Sequence, residues 1–246
     1  MISIIIVAKN EEKTIGCVVE ACKRSLRGYE KEIIASLAKD NSDATTGICM
    51  TMGIGVVVEK SRCKGDQMAA GLAHAKGNII IFTDGDIANL RPAQIDAIAA
   101  PVIKNRYDFV KGSYTNTGRV TEFVIRPLLK FAFPEISGIG QPLAGQIAGK
   151  KRFFDMIRFE RSWGVDIALL IDMAMAGARI GDIALPYKDD IPKPHLQASF
   201  VREIAGTLLS RAARHKRMKH LKGLELPLLL AQFQEGLEDS KLFKKR

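Results

Sequence analysis

The sequence predicts an α/β domain, with a mostly parallel central sheet between helical layers and a more helical second half. Three observations carry this. Short β-branched runs alternate with helical repeats through the first 115 residues, the pattern of parallel strands joined by crossover helices. Residues 116–222 carry longer helical patterns and one further strand. Asp84 and Asp86 leave an apolar strand one residue apart, at the edge where open parallel sheets bind ligands.

The elements follow in order. "SIIIVA" (3–8) reads as the first strand. Asn10 is a good N-cap, and Ile15, Val18, Val19 and Cys22 recur at i, i+3, i+4, i+7, which predicts a helix. "EIIASLA" (32–38) and "GVVVEK" (55–60) are the second and third strands. "KGDQMAAGLAHAKG" (64–77) predicts a helix closed by Gly77, and "NIIIFT" (78–83) a fourth strand that delivers Asp84. Pro92 suits the first turn of the next helix, and "YDFVKGSY" (107–114) is a fifth strand. Helices are expected over 119–132, 165–177 (stopped by Gly177) and 197–217, with the strand "GDIALPY" (181–187) between the last two. The expected divisions are 1–115, 116–222 as the second half of the same domain, and a tail over 223–246. Trp163 is expected in the core, and His74 reads as a structural helix residue.

Composition narrows the classes. The chain has 246 residues, is 47% hydrophobic, and contains no run of about 18 apolar residues that would suggest a membrane span. Its opening lacks a basic region and its apolar run soon ends in charges, so no signal peptide is expected. Four cysteines without metal-binding spacing read as reduced thiols of a cytoplasmic protein. The net charge of +10 implies an anionic partner: nucleic acid, anionic lipid or a phosphorylated small molecule. "RAARHKRMKHLK" (211–222) holds six Lys or Arg and reads as a solvated helix face or as a contact for lipid, RNA or phosphorylated substrates. It lacks interleaved aromatics, and no helix-turn-helix, zinc-finger or RNP pattern supports a nucleic-acid partner.

Asp-Gly-Asp is ordinary turn chemistry, but two hard oxygen ligands at a strand end also suit Mg²⁺ or Mn²⁺ shared with substrate phosphates. The neighbours favour the second reading. Asn10, Glu11 and Glu12 follow the first strand at the same sheet edge, and Lys64 opens a helix whose N-terminus could face a phosphate.

Together, "VAKNEE", "KGDQMAAGLAHAKG" and "NIIIFTDGD" resemble the nucleotide-sugar half of GT-A-fold glycosyltransferases. "VKGSY", "GRVTEFVIRPLL", "QPLAG", "WGVDIALLIDMA" and "REIAGTLLSR" resemble the glucosyl-3-phosphoglycerate synthases, with the likeness running from about residue 2 to residue 211. The resemblance implies a metal-dependent hexosyltransferase, glucose favoured, acting on 3-phosphoglycerate with retention, and a homodimer. It places Ala8 and Glu11 beside the donor base and ribose, and Lys64 on the diphosphate or sugar. Asp84 and Asp86 would bind metal and ribose, and Leu143, Ala144 and Gly145 would line the sugar pocket. Asp166 stands where the family has a glutamate on the glucose. Gly118, Arg119 and Thr121 would hold the acceptor phosphate, which suits the bidentate guanidinium. Asp190 stands where the family has a metal-binding histidine, with Asp189 a close rival. Ala38 and Lys39 stand where related strands carry a base-reading aspartate, so guanosine donors stay open beside uridine. Two other readings remain: transfer from a GDP-mannose-type donor to polyprenyl phosphate or glycerate, and a non-catalytic nucleotide- or RNA-binding protein.

Overall fold

A computed structural model describes residues 1–61, 63–116, 118–189 and 198–221; Asp190, His195 and the 223–246 tail lie outside them. The strands are β1 (Ile2–Ala8), β2 (Lys31–Ala38), β3 (Gly55–Glu59), β4 (Ile79–Asp84), β5 (Phe109–Tyr114), β6 (Ile147–Lys150) and β7 (Ile180–Leu185). They form one sheet in the order β3-β2-β1-β4-β6-β5-β7. All neighbours pair in parallel except β6, which is antiparallel to both β4 and β5. The helices are α1 (Ile15–Arg24), α2 (Thr45–Thr51), α3 (Lys64–His74), α4 (Pro92–Ile103), α5 (Arg126–Ala132), α6 (Lys151–Asp155), α7 (Val165–Met175) and α8 (Ala198–Arg214).

β1 is buried along its whole length because both faces are covered, and its near-continuous apolar run is what such a strand requires. Alternate residues serve opposite layers. Ile2, Ile4 and Ile6 pack with Val18, Val19, Ile95 and Ile98 of α1 and α4. Ile5 and Val7 join Met68 and Leu72 of α3, in the core that also takes Leu170 of α7 and Leu208 of α8. The chain leaves β1 towards β2 on one side, while β4 continues to the other half of the sheet. Their carboxyl ends therefore flank a crevice at a topological switch point, where open α/β sheets bind ligands.

Several local expectations are corrected. Asn10 does not cap α1: it adopts a left-handed φ of 55°, and Thr14 holds the N-cap position. The Asn10 amide instead binds the neighbouring loop, with Oδ1 accepting from Ser42 N at 2.9 Å. Gly77 does not close α3, which ends at His74; the chain is extended at Ala75, and a Cβ on Gly77 would lie 2.6 Å from Ser3 N. The expected 119–132 helix forms, but Thr121–Ile125 winds as a π-helix. Trp163 is 42% exposed and stacks edge-on against Phe200, so it is not a core anchor. Among the described residues of the 211–222 stretch, Arg211 is buried against Glu160 and Asp172, and Arg217 pairs with Glu135 at 2.8 Å, so these two do not belong to a solvated face. No helix among the described residues is long and apolar enough to cross a membrane.

Candidate active site

The site grows from the last residues of β4. Asp84 ends the strand in register with Val7 of β1, and Gly85 N donates to Val7 O at 2.9 Å. Thr14 Oγ1 donates to Gly85 O at 2.8 Å, so the Asp84–Asp86 turn is clamped to the loop that follows β1. Ala8 ends β1 and Glu11 lies in that loop, both buried, and the loop is tied in turn to the segment after β2: Glu11 N donates to Thr45 Oγ1 at the start of α2 at 2.8 Å, and Lys9 pairs with Asp40 at 2.7 Å. Lys39, beside Asp40, is exposed.

Lys64, the first residue of α3, is the centre of the charge arrangement. Its Nζ lies 2.9 Å from Asp84 Oδ1 and 2.8 Å from Asp166 Oδ2. Burial opposes its charge, but the Asp166 and Asp84 carboxylates overcome that and hold its pKa above the ordinary lysine value. Lys64 is therefore a fixed cation, not a solvent-facing helix residue. The start of α3 is brought in tightly because Gly65 has no side chain: a Cβ there would lie 1.7 Å from Glu160 O, in the loop before α7. Asp166, in the first turn of α7, is buried, and its Oδ1 has no hydrogen-bond partner among the described residues. A buried carboxylate oxygen left this way costs free energy unless a ligand completes it.

β6 completes the site through its direction. Running antiparallel to β4, it begins at the edge where β4 ends, so Leu143, Ala144 and Gly145 sit beside Asp84. A Cβ on Gly145 would lie 2.2 Å from Asp84 Oδ2, so only glycine leaves the carboxylate its place. Beneath this segment is Lys111 of β5, fully buried, whose Nζ donates to Ala144 O at 2.5 Å and to Asp166 O at 3.4 Å. Burial pulls its pKa down to about 8, with Asp166 acting the other way. Lys111 thus joins the sugar-pocket segment to the start of α7.

The acceptor candidates Gly118, Arg119 and Thr121 follow β5 at the same edge; Gly118 and Arg119 are exposed and Thr121 is buried. Asn116 links this segment to Gln141 and Lys188: its carbonyl accepts from Gln141 Nε2, and its side chain pairs with the backbone of Lys188, N to Oδ1 at 2.9 Å and Nδ2 to O at 2.9 Å. Lys188 Nζ in turn lies 3.7 Å from Asp86 Oδ1 and 4.0 Å from Asp84 Oδ2. Lys188, Asn116 and Lys111 were not singled out by sequence reasoning. The one available signal was a lysine inside the apolar strand "DFVKGSY", since a charge in a buried strand needs a reason.

Two carboxylates at a strand end fit a Mg²⁺- or Mn²⁺-type ion, which commonly takes one or two protein carboxylates and completes its shell with phosphates and water. Among the described residues no cluster of three or more His, Cys, Asp or Glu side chains forms. Asp190, the expected third ligand, lies outside them; its rival Asp189 is exposed, with its carbonyl accepting from Ala88 N at 2.8 Å.

The comparisons agree with this geometry. Residues 3–165 match the model of glycosyl transferase family 2. The glucosyl-3-phosphoglycerate synthase of Mycolicibacterium smegmatis is 31% identical over 235 residues, covering 85% of this chain and 77% of the relative. The crystal structure of the Mycobacterium tuberculosis glucosyl-3-phosphoglycerate synthase with Mn²⁺, UDP and phosphoglyceric acid superposes with a TM-score of 0.80 at 29% identity, over 86% of this chain and 78% of that one. Its complex with Mn²⁺, UDP-glucose and phosphoglyceric acid gives 0.79 at 28% identity, over 87% and 80%. The fold is GT-A, and the chain belongs to glycosyl transferase family 2, in the group of the glucosyl-3-phosphoglycerate synthases.

Proposed function

We propose that this hexosyltransferase moves glucose from a nucleoside-diphosphate sugar to 3-phosphoglycerate, with Mg²⁺ or Mn²⁺ as cofactor. The observation that carries the reading is the Lys64 bridge, 2.9 Å from Asp84 and 2.8 Å from Asp166, at the switch point of the sheet. The relatives' complexes with Mn²⁺, UDP-glucose and phosphoglyceric acid support the same substrates here.

Asp84 and Asp86 would hold the ion, with Asp190 as third ligand. When bound, the ion neutralises charge that develops on the departing diphosphate. Ala8 and Glu11 border the base and ribose. The Lys64 ammonium, kept charged by two carboxylates, is placed to stabilise the diphosphate or the sugar. Asp166 has one oxygen oriented by Lys64 and the other ready to accept a sugar hydroxyl, while Leu143, Ala144 and Gly145 line the pocket. Gly118, Arg119 and Thr121 take the acceptor phosphate. Attack of the acceptor hydroxyl on the face the diphosphate leaves gives retention, and its proton passes to a leaving phosphate oxygen. Residues 1–115 thus serve mainly the donor and 116–222 the acceptor, within one domain. A homodimer and a cytoplasmic location complete the proposal on the strength of the family resemblance; sedimentation at micromolar concentration tests the dimer.

The decisive experiment offers 3-phosphoglycerate with UDP-glucose, GDP-glucose or GDP-mannose, in Mg²⁺, Mn²⁺ or EDTA. Metal-dependent glucosylphosphoglycerate is the expected product, and the preferred donor reports what replacing a base-reading aspartate by Lys39 does. No product from any donor overturns the assignment in favour of a polyprenyl-phosphate acceptor.

A further inference from the structure

Lys111 lies in the middle of β5 with no surface exposed to solvent. Phe109 and Val110 of the same strand join opposite cores, so Lys111 faces the layer of α3 and α7, as Phe109 does. A buried lysine is normally paired with a carboxylate. Here, among the described residues, no carboxylate lies within ion-pair distance of the Lys111 ammonium, and the nearby Asp166 and Asp84 each give an oxygen to Lys64. Its hydrogen bonds go instead to two main-chain carbonyls, Ala144 O at 2.5 Å and Asp166 O at 3.4 Å, which are 33 and 55 residues away in sequence. Ala144 O takes no other hydrogen bond among the described residues. Burial opposes the charge on Lys111, and the neighbouring Lys64 opposes it further. An apolar side chain of similar length would carry neither penalty, so packing alone does not explain a lysine at this position.

We infer that Lys111 is a positioning residue for the transferred sugar: its ammonium sets the gap between the Leu143–Gly145 segment and the start of α7, and with it the place of the Asp166 carboxylate. Ala144 and Gly145 form one wall of that gap, with Gly145 closed on Asp84; Asp166, held by Lys64 at 2.8 Å, forms the other. A single ammonium bonded to both walls fixes their spacing without touching the sugar. A displacement of about 1 Å in such a spacing costs on the order of a hundredfold in rate. The nucleotide side is held by other means. The loop carrying Glu11 is tied to Thr45 and Asp40, and it makes no hydrogen bond to Lys111 among the described residues. Loss of the Lys111 ammonium therefore acts on the sugar and not on the nucleotide. This rests on the reading of Leu143–Gly145 and Asp166 as the sugar pocket.

The test compares a sugar nucleotide with its bare nucleotide. Binding of UDP-glucose and of UDP to the full chain is measured by calorimetry with Mn²⁺, alongside kcat and KM with 3-phosphoglycerate; GDP-glucose and GDP take their place if the guanosine donor is the one used. Lys111→Met keeps the length of the side chain and removes the ammonium. It should bind UDP within about twofold of the original, bind UDP-glucose about tenfold more weakly, and lose about a hundredfold in kcat. Lys111→Gln, which keeps an N–H donor on a shorter stem, should fall between the two and serves alone if the methionine variant does not fold. Equal weakening of UDP and UDP-glucose overturns the inference, because a staple of the fold at large would act on both. Original UDP-glucose affinity and kcat in either variant overturns it as well. Absence of product from the unsubstituted protein with every donor overturns the proposed function instead, and the sugar pocket with it.

Discussion

Two charged clusters sit at opposite edges of the same sheet, and they are built to different ends. At the amino edge, Asp108 precedes β5 and is buried among Lys150, Arg179 and Arg152. Its oxygens accept from Lys150 Nζ at 2.6 Å, Arg179 Nε at 2.8 Å and Arg179 N at 3.1 Å. The hydrogen bond from Arg179, working against burial and aided by Lys150, holds the carboxyl well below the usual carboxylate range. At the carboxyl edge, Asp166 has one oxygen on Lys64 and one with no hydrogen-bond partner among the described residues. A closed network fastens strands, while an open one keeps polar capacity for a ligand. Burial and charge alone do not separate them; the state of each carboxylate oxygen does.

The sharpest way to break this contrast is to remove a carboxylate from the open cluster. Asp86→Ala should lower metal-dependent turnover by about a hundred- to thousandfold with the circular dichroism spectrum unchanged, as loss of a charge-stabilising group in an active site does. Wild-type turnover in that variant would place the chemistry elsewhere.

Lys111 tests the low dielectric beneath the open cluster. Its folded pKa of about 8 lies below the ordinary 10.5, so between those values the unfolded chain binds more protons. Its penalty on stability is therefore full below pH 8 and relaxes as pH rises towards 10.5, by up to about 3 kcal/mol. Urea denaturation at pH 7.5, 9 and 10 should show the original chain gaining on Lys111→Met over that window; a constant difference would contradict it.

The closed cluster should respond in stability alone. Asp108→Asn is expected to cost about 2 kcal/mol at pH 7, a figure kept modest because the Arg179 side chain is half exposed. The folded pKa is depressed, so this stabilisation is present above the unfolded value of 3.8 and is lost as pH falls through the folded one. The two proteins should therefore converge in acid, with turnover at pH 7 equal. A turnover defect would mean the two edges are coupled.

Gly145→Ala is the smallest change. Its Cβ would meet Asp84 Oδ2 at 2.2 Å, so the carboxylate must turn. Turnover should fall roughly tenfold through misplacement, with little change in thermal midpoint. Normal turnover would show that the position of Asp84 is less constrained than the contact implies.

The legible parts of the molecule were those whose cause is local. β1 to β5, β7 and the helices α1, α3, α7 and α8 announced themselves by apolar period. β6 did not, because four residues, "IAGK", carry too little pattern. Nor did α2, "TTGICMT", whose threonines and glycine are poor helix formers held by packing. Asn10 looked like a cap because asparagine favours both caps and left-handed turns, and only the partner loop at Asn41 and Ser42 selects the turn.

The sequence by itself determined the alternating architecture, the strand end that carries Asp84 and Asp86, the helix start that carries Lys64, and, through motif resemblance, the transferase family. These depend on spacing along the chain. Only the tertiary structure decided that Lys64 reaches Asp166, 102 residues away, and that an antiparallel β6 turns Gly145 onto Asp84. It also decided that Lys188, returning after β7, faces the carboxylate pair. Such contacts are set by strand order and direction, which hydrophobic period does not encode, and their charges act through space over a few ångströms whatever the separation in sequence.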